Sequence, residues 1–408
     1  MTNKLWTKNF TIITLGSVVT MLGHALSGFA ISLLVLDYTG SVMLYSLYLL
    51  AYYLPMVVMP LLAGPWLDNF SRARVIYTLD FLAAAIYLGA FFLIRSGWFS
   101  YVPMLLGVLL LGSIDSIYMV AYESLYPNLV SEGNFAKAYS VSSMLEPLSM
   151  VMTPVAALVY SHIGIAPLFL ADFVFFFIAA CFETQIRAPE EYRGEKTGKK
   201  DLRYMIGEMR DGLRYIQSEK GLLVITAYFF VSMLTGTGAG TLWLPWFKSA
   251  AGLGVTTYTI VQLGNVAGRF IGGFVQYRLK YPTGKKFAIA LSVYAAICFL
   301  EGGVLFAPPW LMLVMLFVNG LLGVTSYNIR ISTTQSYVPD SYRGRFNGCF
   351  HMIMSLGNIL GTLIAGALGD LLPIRGIILA LMGINLLAVF GIMYRGRRHV
   401  AAIYNRDV

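Results

Sequence analysis

The chain has 408 residues, of which 58% are hydrophobic and 12% charged, with a formal net charge of +9 and a mean hydropathy of +0.70. Ordinary soluble domains carry about 25% charged residues, so composition excludes a soluble enzyme or binding module. The three cysteines, Cys181, Cys298 and Cys349, all fall within apolar stretches and imply no disulfide framework.

A helix needs about 20 apolar residues to cross the hydrocarbon core of a bilayer. In chain order, such spans are expected near residues 10–35, 43–67, 75–94, 101–122, 138–160, 166–183, 222–245, 256–276, 287–306, 309–328, 347–370 and 375–394. The first lacks a cleavage-type ending and reads as a retained helix rather than a leader. The expected fold is therefore an all-α integral membrane protein with twelve transmembrane helices. The spans fall into two six-helix halves, 1–185 and 221–398, with a linker at 186–220 and a tail at 399–408. In the linker, Leu202, Met205, Ile206, Met209, Leu213 and Ile216 recur at helical spacing, with Arg203, Arg210 and Arg214 elsewhere on the turn. That pattern predicts an amphipathic helix at the membrane surface, or a plain spacer.

Lys4, Lys8, Arg72, Arg74, Lys137, the linker, Arg278, Lys280, Lys285, Lys286, Arg343, Arg345 and Arg395-Gly396-Arg397-Arg398 fall on one side of this topology, against Arg95, Lys248 and Arg375 on the other. The positive-inside rule puts both termini in the cytoplasm. The net charge is thus a topology signal, and with no soluble domain expected, nucleic acid is not expected as a partner.

Between the second and third spans runs Gly64-Pro65-Trp66-Leu67-Asp68-Asn69-Phe70-Ser71-Arg72-Ala73-Arg74. Its counterpart in the second half is Gly272-Gly273-Phe274-Val275-Gln276-Tyr277-Arg278-Leu279-Lys280, with glutamine in place of the acid. Glu123-Ser124-Leu125-Tyr126-Pro127 after the fourth span parallels Gln335-Ser336-Tyr337-Val338-Pro339 after the tenth. The spacing from Gly64 to Pro127 is 63 residues and from Gly272 to Pro339 is 67. Two related six-helix halves are expected.

The Gly-x-x-x-Asp-x-x-x-Arg-x-Arg cluster resembles the loop between helices 2 and 3 of major facilitator superfamily transporters. Within that superfamily the chain is most similar to the enterobactin-exporter and macrolide-efflux branch. The similarity is carried by Asp37-Tyr38-Thr39-Gly40-Ser41, Tyr126-Pro127-Asn128-Leu129-Val130, Arg210-Asp211-Gly212-Leu213-Arg214-Tyr215-Ile216 and Val338-Pro339-Asp340-Ser341-Tyr342-Arg343-Gly344-Arg345. The resemblance implies alternating access and, in most relatives, proton-driven export of an amphipathic small molecule. It assigns the cytoplasmic gate to Asp68, Arg72, Arg74, Glu123 and Glu183 and, in the second half, Asp340, Arg343 and Arg345. Several positions depart from the pattern of drug/proton antiporters. Span 4 carries Asp115 where many have an arginine, Met152-Thr153-Pro154-Val155-Ala156-Ala157 keeps a proline but not the glycines of the span 5 kink, and Gly23-His24 stands where many place an acid.

Charges inside spans cost about 2.5–3.5 kcal/mol at mid-helix on insertion scales and usually mark a pathway or a pair. The candidates are His24, Asp80, Asp115, Glu146, Asp172, Arg269, Glu301, Arg330 and His351. The resemblance implies that spans 1, 4, 7 and 10 line the cavity, which favours Asp115 and His24. Asp80, Asp172 and Glu301 are read as capping helix ends or facing neighbouring helices. Glu146 and Arg269 lie at similar depth, and the resemblance, which sets spans 5 and 8 side by side, implies a salt bridge between the halves. Arg269 binding an anionic substrate, or Glu146 pairing within its own half, are the alternatives. Asp115, Glu146 and His24 are the proton-coupling candidates, because carboxyl and imidazole groups can exchange protons near neutral pH in a suitable environment. Gly264, Gly268 and Gly272, and Gly357, Gly361, Ala365 and Gly369, form small-residue faces, expected to contact the opposite half or, alternatively, a second copy. Thr237, Thr241, Trp243, Gln262, Asn265, Asn319, Asn328, Arg330 and Asn358 are the expected substrate-cavity residues.

The sequence shows no nucleotide-binding loop, metal cluster or nucleophile arrangement, so neither an enzyme nor a cofactor is expected, and a proton gradient is the expected energy source. The expected partners are a small-molecule substrate and the lipid bilayer, with a monomer in the cytoplasmic membrane. An uncoupled facilitator or importer, and a solute sensor without turnover, are the rival readings.

Overall fold

The computed structural model describes residues 5–67, 70–130, 138, 141, 152–187, 202–278 and 281–406. In chain order its helices are α1 (Lys8–Thr39), α2 (Val42–Leu67), α3 (Arg72–Arg95), α4 (Tyr101–Leu129), α5 (Met152–Ile163), α6 (Ala166–Glu183), α7 (Leu202–Ser218), α8 (Lys220–Ser249), α9 (Val255–Arg278), α10 (Lys286–Gly303), α11 (Pro309–Tyr337), α12 (Asp340–Gly369), α13 (Ile374–Ala388) and α14 (Arg397–Tyr404). Among the described residues, ten stretches are long and apolar enough to cross a membrane. The other two expected spans correspond to the short apolar α5 and to α9, whose amides and Arg269 make it less apolar. The chain is therefore an all-α, multi-pass membrane protein.

Local chemistry sets several helix ends. Thr7 caps α1 by accepting from the Phe10 amide at 3.2 Å, and Ser71 caps α3 by accepting from the Arg74 amide at 3.3 Å. Helix α1 stops at Gly40, which is left-handed at φ 62° and donates back to the Leu36 carbonyl.

The helices cluster into two units, one of residues 1–40 and 48–202, the other of 41–47 and 203–408. In the first unit α1 packs on α5 and α6, and α3 on α4 and α6. In the second, α8 packs on α12 and α13, and α10 on α11 and α13. The same order of partners in both units is the structural form of the repeat read from the loops.

Gly264 and Gly268 on α9 and Gly361 on α12 serve close packing within the second unit, while Gly369 packs against Val42 at the start of α2. A Cβ on Gly264 or Gly268 would collide with the Leu313 or Phe317 carbonyl of α11, and one on Gly361 with the Leu234 carbonyl of α8. These backbones touch, and only glycine permits it.

The linker helix α7 docks on the second unit. The Cys349 thiol donates to the Met209 carbonyl at 3.2 Å, and Tyr215 stacks on Tyr342 at 4.6 Å. The expected tail also forms helix α14, whose Val400, Ile403 and Tyr404 are buried. Its apolar residues repeat at helical spacing and fill a core lined by Leu222, Tyr294 and Met393.

Candidate functional site

The first unit gathers its ionisable side chains inside. His24 on α1 and Asp115 on α4 are brought together, with His24 Nδ1 3.5 Å from Asp115 Oδ2. The Tyr52 hydroxyl of α2 donates to the same oxygen at 2.7 Å. The Asp115 side chain is 9% exposed and that of His24 27%, so the site is enclosed but reachable from the imidazole side. The His24 ring meets the Phe176 ring of α6 edge-on at 5.0 Å and 88°, and Tyr87 of α3 stacks on the same phenyl. An aromatic wall thus fixes the imidazole orientation against the carboxylate. Helix α2 reaches Asp115 because Gly112, one turn away on α4, lies so close to the Tyr52 backbone that a Cβ there would strike its carbonyl.

An acid, an imidazole and a phenol within hydrogen-bonding range can accept, hold and pass a proton without metal or cofactor. With His24 protonated the contact is an ion pair. With the proton on Asp115, both groups are neutral and the attraction falls away.

Glu183 differs from expectation. It was read as a gate residue at the membrane surface, but it is 0% exposed and accepts from the Tyr118 hydroxyl at 3.1 Å. It sits on the buried face of α6 with Leu168, Phe169, Asp172, Phe176, Ala179 and Ala180, which recur at helical spacing. Asp80 and Asp172 are mid-helix and cap no helix end, and Asp80 faces the neighbouring α1, the other expected placement. Asp80 is 2% exposed and accepts from Thr20 at 3.1 Å. Asp172 is 0% exposed, with no hydrogen-bond donor at either oxygen. Of the other gate residues, Arg72 opens α3, and Arg74 and Glu123 are exposed. Asp68, Glu146 and the side chains of Asp340 and Arg343 lie outside the described residues, so the Glu146–Arg269 pair does too. Arg345 lies over the Tyr342 ring at 5.6 Å.

In the second unit the expected cavity residues separate into clusters. Thr237 donates to Asn358 Oδ1 at 2.7 Å, tying α8 to α12, and Thr241 donates to the Thr237 carbonyl at 2.9 Å. Arg269 donates to Asn265 Oδ1 at 3.0 Å, and its charge also acts on Glu301. Glu301 in turn accepts from Asn319 at 2.9 Å. Gln262 donates to Tyr258 within its own helix at 3.3 Å, and Asn328 accepts from Ser332 through its carbonyl. Arg330 lies 5.0 Å from both the Phe229 and Phe350 ring centres and 5.4 Å from that of Tyr327. Trp243 belongs to an apolar core with Trp246 and Phe247.

Three features escaped the sequence reading. Tyr52 is one of 26 tyrosines and carries no spacing signal. Asp370, just past α12, accepts from Ser41 Oγ at 2.6 Å and from the Val42 and Met43 amides at 2.7 and 3.1 Å, capping α2 within the second unit. Partial burial pushes its carboxyl up, but these three hydrogen bonds outweigh it and hold the group below its ordinary range. An apolar pocket of about 230 Å³, lined by Ile31, Tyr87, Trp98, Met104, Leu111 and Phe169 among others, opens in the first unit.

Bundles of long apolar helices with polar groups gathered in their interiors define a multi-pass membrane protein. The sequence profile of the Major Facilitator Superfamily matches residues 13–329 and 287–406, and the chain belongs to that family of transporters. It is 24% identical over 382 residues to macrolide efflux protein A of Streptococcus pyogenes, covering 90% of each chain. It is also 27% identical over 291 residues to the uncharacterized MFS-type transporter YkuC of Bacillus subtilis, covering 67% of this chain and 66% of that one. Among solved structures, nucleoside transporter NupG aligns with a TM-score of 0.72 at 12% identity, over 95% of this chain and 99% of that one. An inward-facing bacterial homologue of the iron transporter ferroportin aligns at 0.68 and 17%, over 96% and 98%. At these identities the structural likeness speaks for the fold alone.

Proposed function

We propose that this protein is a secondary active transporter that works by alternating access and couples proton movement to export of an amphipathic small molecule of drug-, siderophore- or lipid-like chemistry. The observation that carries this reading is the His24–Asp115–Tyr52 cluster, an acid facing an imidazole inside a membrane-embedded bundle. The likeness to macrolide efflux protein A supports export. In this reading Asp115 takes the proton, His24 is its charge partner and Tyr52 holds the carboxylate in place. Substrate binds against the amides, threonines and aromatic faces of the second unit, and Asp68, Arg72 and Arg74 contribute to the cytoplasmic gate. The protein acts as a monomer in the cytoplasmic membrane with both termini inside. It uses the proton gradient rather than a cofactor and is not an enzyme.

The test is proton flux in proteoliposomes on adding a panel of amphipathic compounds that includes a macrolide, with Asp115→Asn alongside. A compound-dependent proton signal in the wild type that disappears in the variant is the expected result. Compound movement with no proton signal would favour the second reading, an uncoupled facilitator or importer, which the missing span 5 glycines and the replaced span 4 arginine support.

A further inference from the structure

One turn from the His24–Asp115 cluster lies a second polar site that the proposed function does not use. Thr20, four residues before His24 on α1, donates to Asp80 on α3. Tyr118, three residues after Asp115 on α4, donates to Glu183 at the end of α6. At 1.5 Å rise per residue, each bridging hydroxyl stands about 5 Å along its helix from the first site. The Asp80 and Glu183 carboxyls interact across the packing of α3 on α6. Two carboxylates only accept, so a hydrogen bond between them requires one to carry a proton.

An independent mark points the same way. Glu183 Oε2 is fully buried and faces no hydroxyl or amide donor, leaving an oxygen that only a proton can satisfy at low cost. The site is also built to bury it. A Cβ on Gly16 would stand 2.8 Å from Glu183 Oε1, so the glycine lets α1 close over the carboxyl.

We propose that Asp80 and Glu183 share an exchangeable proton and relay protons between the His24–Asp115 site and the α6 end of the first unit. The inference rests on the proton-coupling reading and extends it to Glu183, expected at the gate, and Asp80, expected to cap a helix end or face a neighbouring helix. A proton leaving Asp115 is taken up at the unprotonated oxygen of the pair, and the shared proton leaves from the Glu183 side. One O–H bond breaks for each that forms, with no other reagent. From α4 the pair is faced by Asp115, by Tyr118 and by Tyr122, which stacks on Tyr118 at 6.1 Å. From α1 it is faced by Thr20, while α3 and α6 supply the two acids. Among the described residues, neither carboxyl is in a salt bridge with a lysine or arginine.

Infrared difference spectra of the full chain in lipid nanodiscs, taken through pH steps, read the C=O stretch of protonated carboxyls directly. An Asp172→Asn background removes the other isolated buried acid. The expected result is an acid band near neutral pH that is lost in Asp80→Asn with Glu183→Gln, survives Asp115→Asn, and shifts its midpoint in that variant. Absence of such a band, or a midpoint blind to Asp115→Asn, overturns the relay. Should the acid variants fail to fold, Tyr118→Phe and Thr20→Val keep both carboxyls and are expected to move the same midpoint. In proteoliposomes with erythromycin as probe, both hydroxyl variants are expected to slow proton flux about tenfold. Flux that stays at the wild-type rate in both while Asp115→Asn abolishes it leaves coupling intact and sinks the relay. A wild type that moves no protons sinks the coupling reading, and the infrared result then decides the pair alone.

Discussion

The two units share a helix-packing plan and differ in what they bury. Among the described residues the first encloses Asp80, Asp115, Asp172 and Glu183, of which all but Asp172 are served by tyrosine or threonine hydroxyls or by a histidine. The second places its cations Arg269 and Arg330 against amides and aromatic rings. Duplicating a six-helix half therefore preserved the partners of each helix while the polar interiors diverged. Hydroxyl-served acids suit proton handling, whereas amides, a guanidinium and aromatic faces suit an amphipathic ligand.

That contrast can be broken in several places. The largest expected effect is steric. Gly268→Leu drives a side chain into the Phe317 carbonyl, and overpacking of this kind costs about 1–3 kcal/mol or more. Thermal melts in detergent are expected to show a large loss of folded protein, with no matching loss for a substitution at Gly273, which has open space around it. The division of labour predicts the next effect. Asp115→Asn is expected to cut compound-dependent proton flux at least about tenfold, or ~1.4 kcal/mol, with the melting temperature little changed. An Asp115→Asn protein that still couples would place the proton chemistry elsewhere.

Arg330→Ala removes the cation from between Phe229 and Phe350 and is expected to cost about 1–2 kcal/mol in stability. Arg330→Lys should restore part of it, because a lysine keeps the charge but not the flat stacking face. Equal stability of the two variants would mean that the aromatic contacts contribute little. The smallest effect is at Asp370. Asp370→Ala is expected to cost about 0.5–1 kcal/mol as a lost helix cap, at the low end because the site is exposed. Since its folded-state pKa is lowered, the contribution is fully present above the ordinary carboxylate range and is lost only as pH falls through the lowered value. The protection factors of the Val42 and Met43 amides against hydrogen exchange should then hold constant near neutral pH and fall in strongly acidic buffer.

Much of this architecture was legible in the chain itself. Apolar runs of bilayer length, the charge bias between loops and the paired loop motifs set the helix order and the two halves, because a bilayer leaves a long apolar segment few alternatives to a helix. Asp115 and His24 stood out for a related reason, the cost of a polar group in hydrocarbon. Even the burial of Glu183 was written in the sequence. It falls seven residues after Phe176 and eleven after Asp172, on one face of α6, but its place at the end of a span suggested a surface instead.

What the tertiary structure alone decided is who meets whom. His24 and Asp115 are 91 residues apart, and only the packing of α1 near α4 brings them within 3.5 Å. Nothing in periodicity singles out Tyr52, which reaches the acid because Gly112 lets two backbones touch. The glycine stripes announced close packing but not its partner, since a small-residue face fits any helix shaped to it. Solvent partition along a single helix fixes depth and face, and those are local. Pairing between helices depends on the shape of both surfaces, and no single segment carries that information.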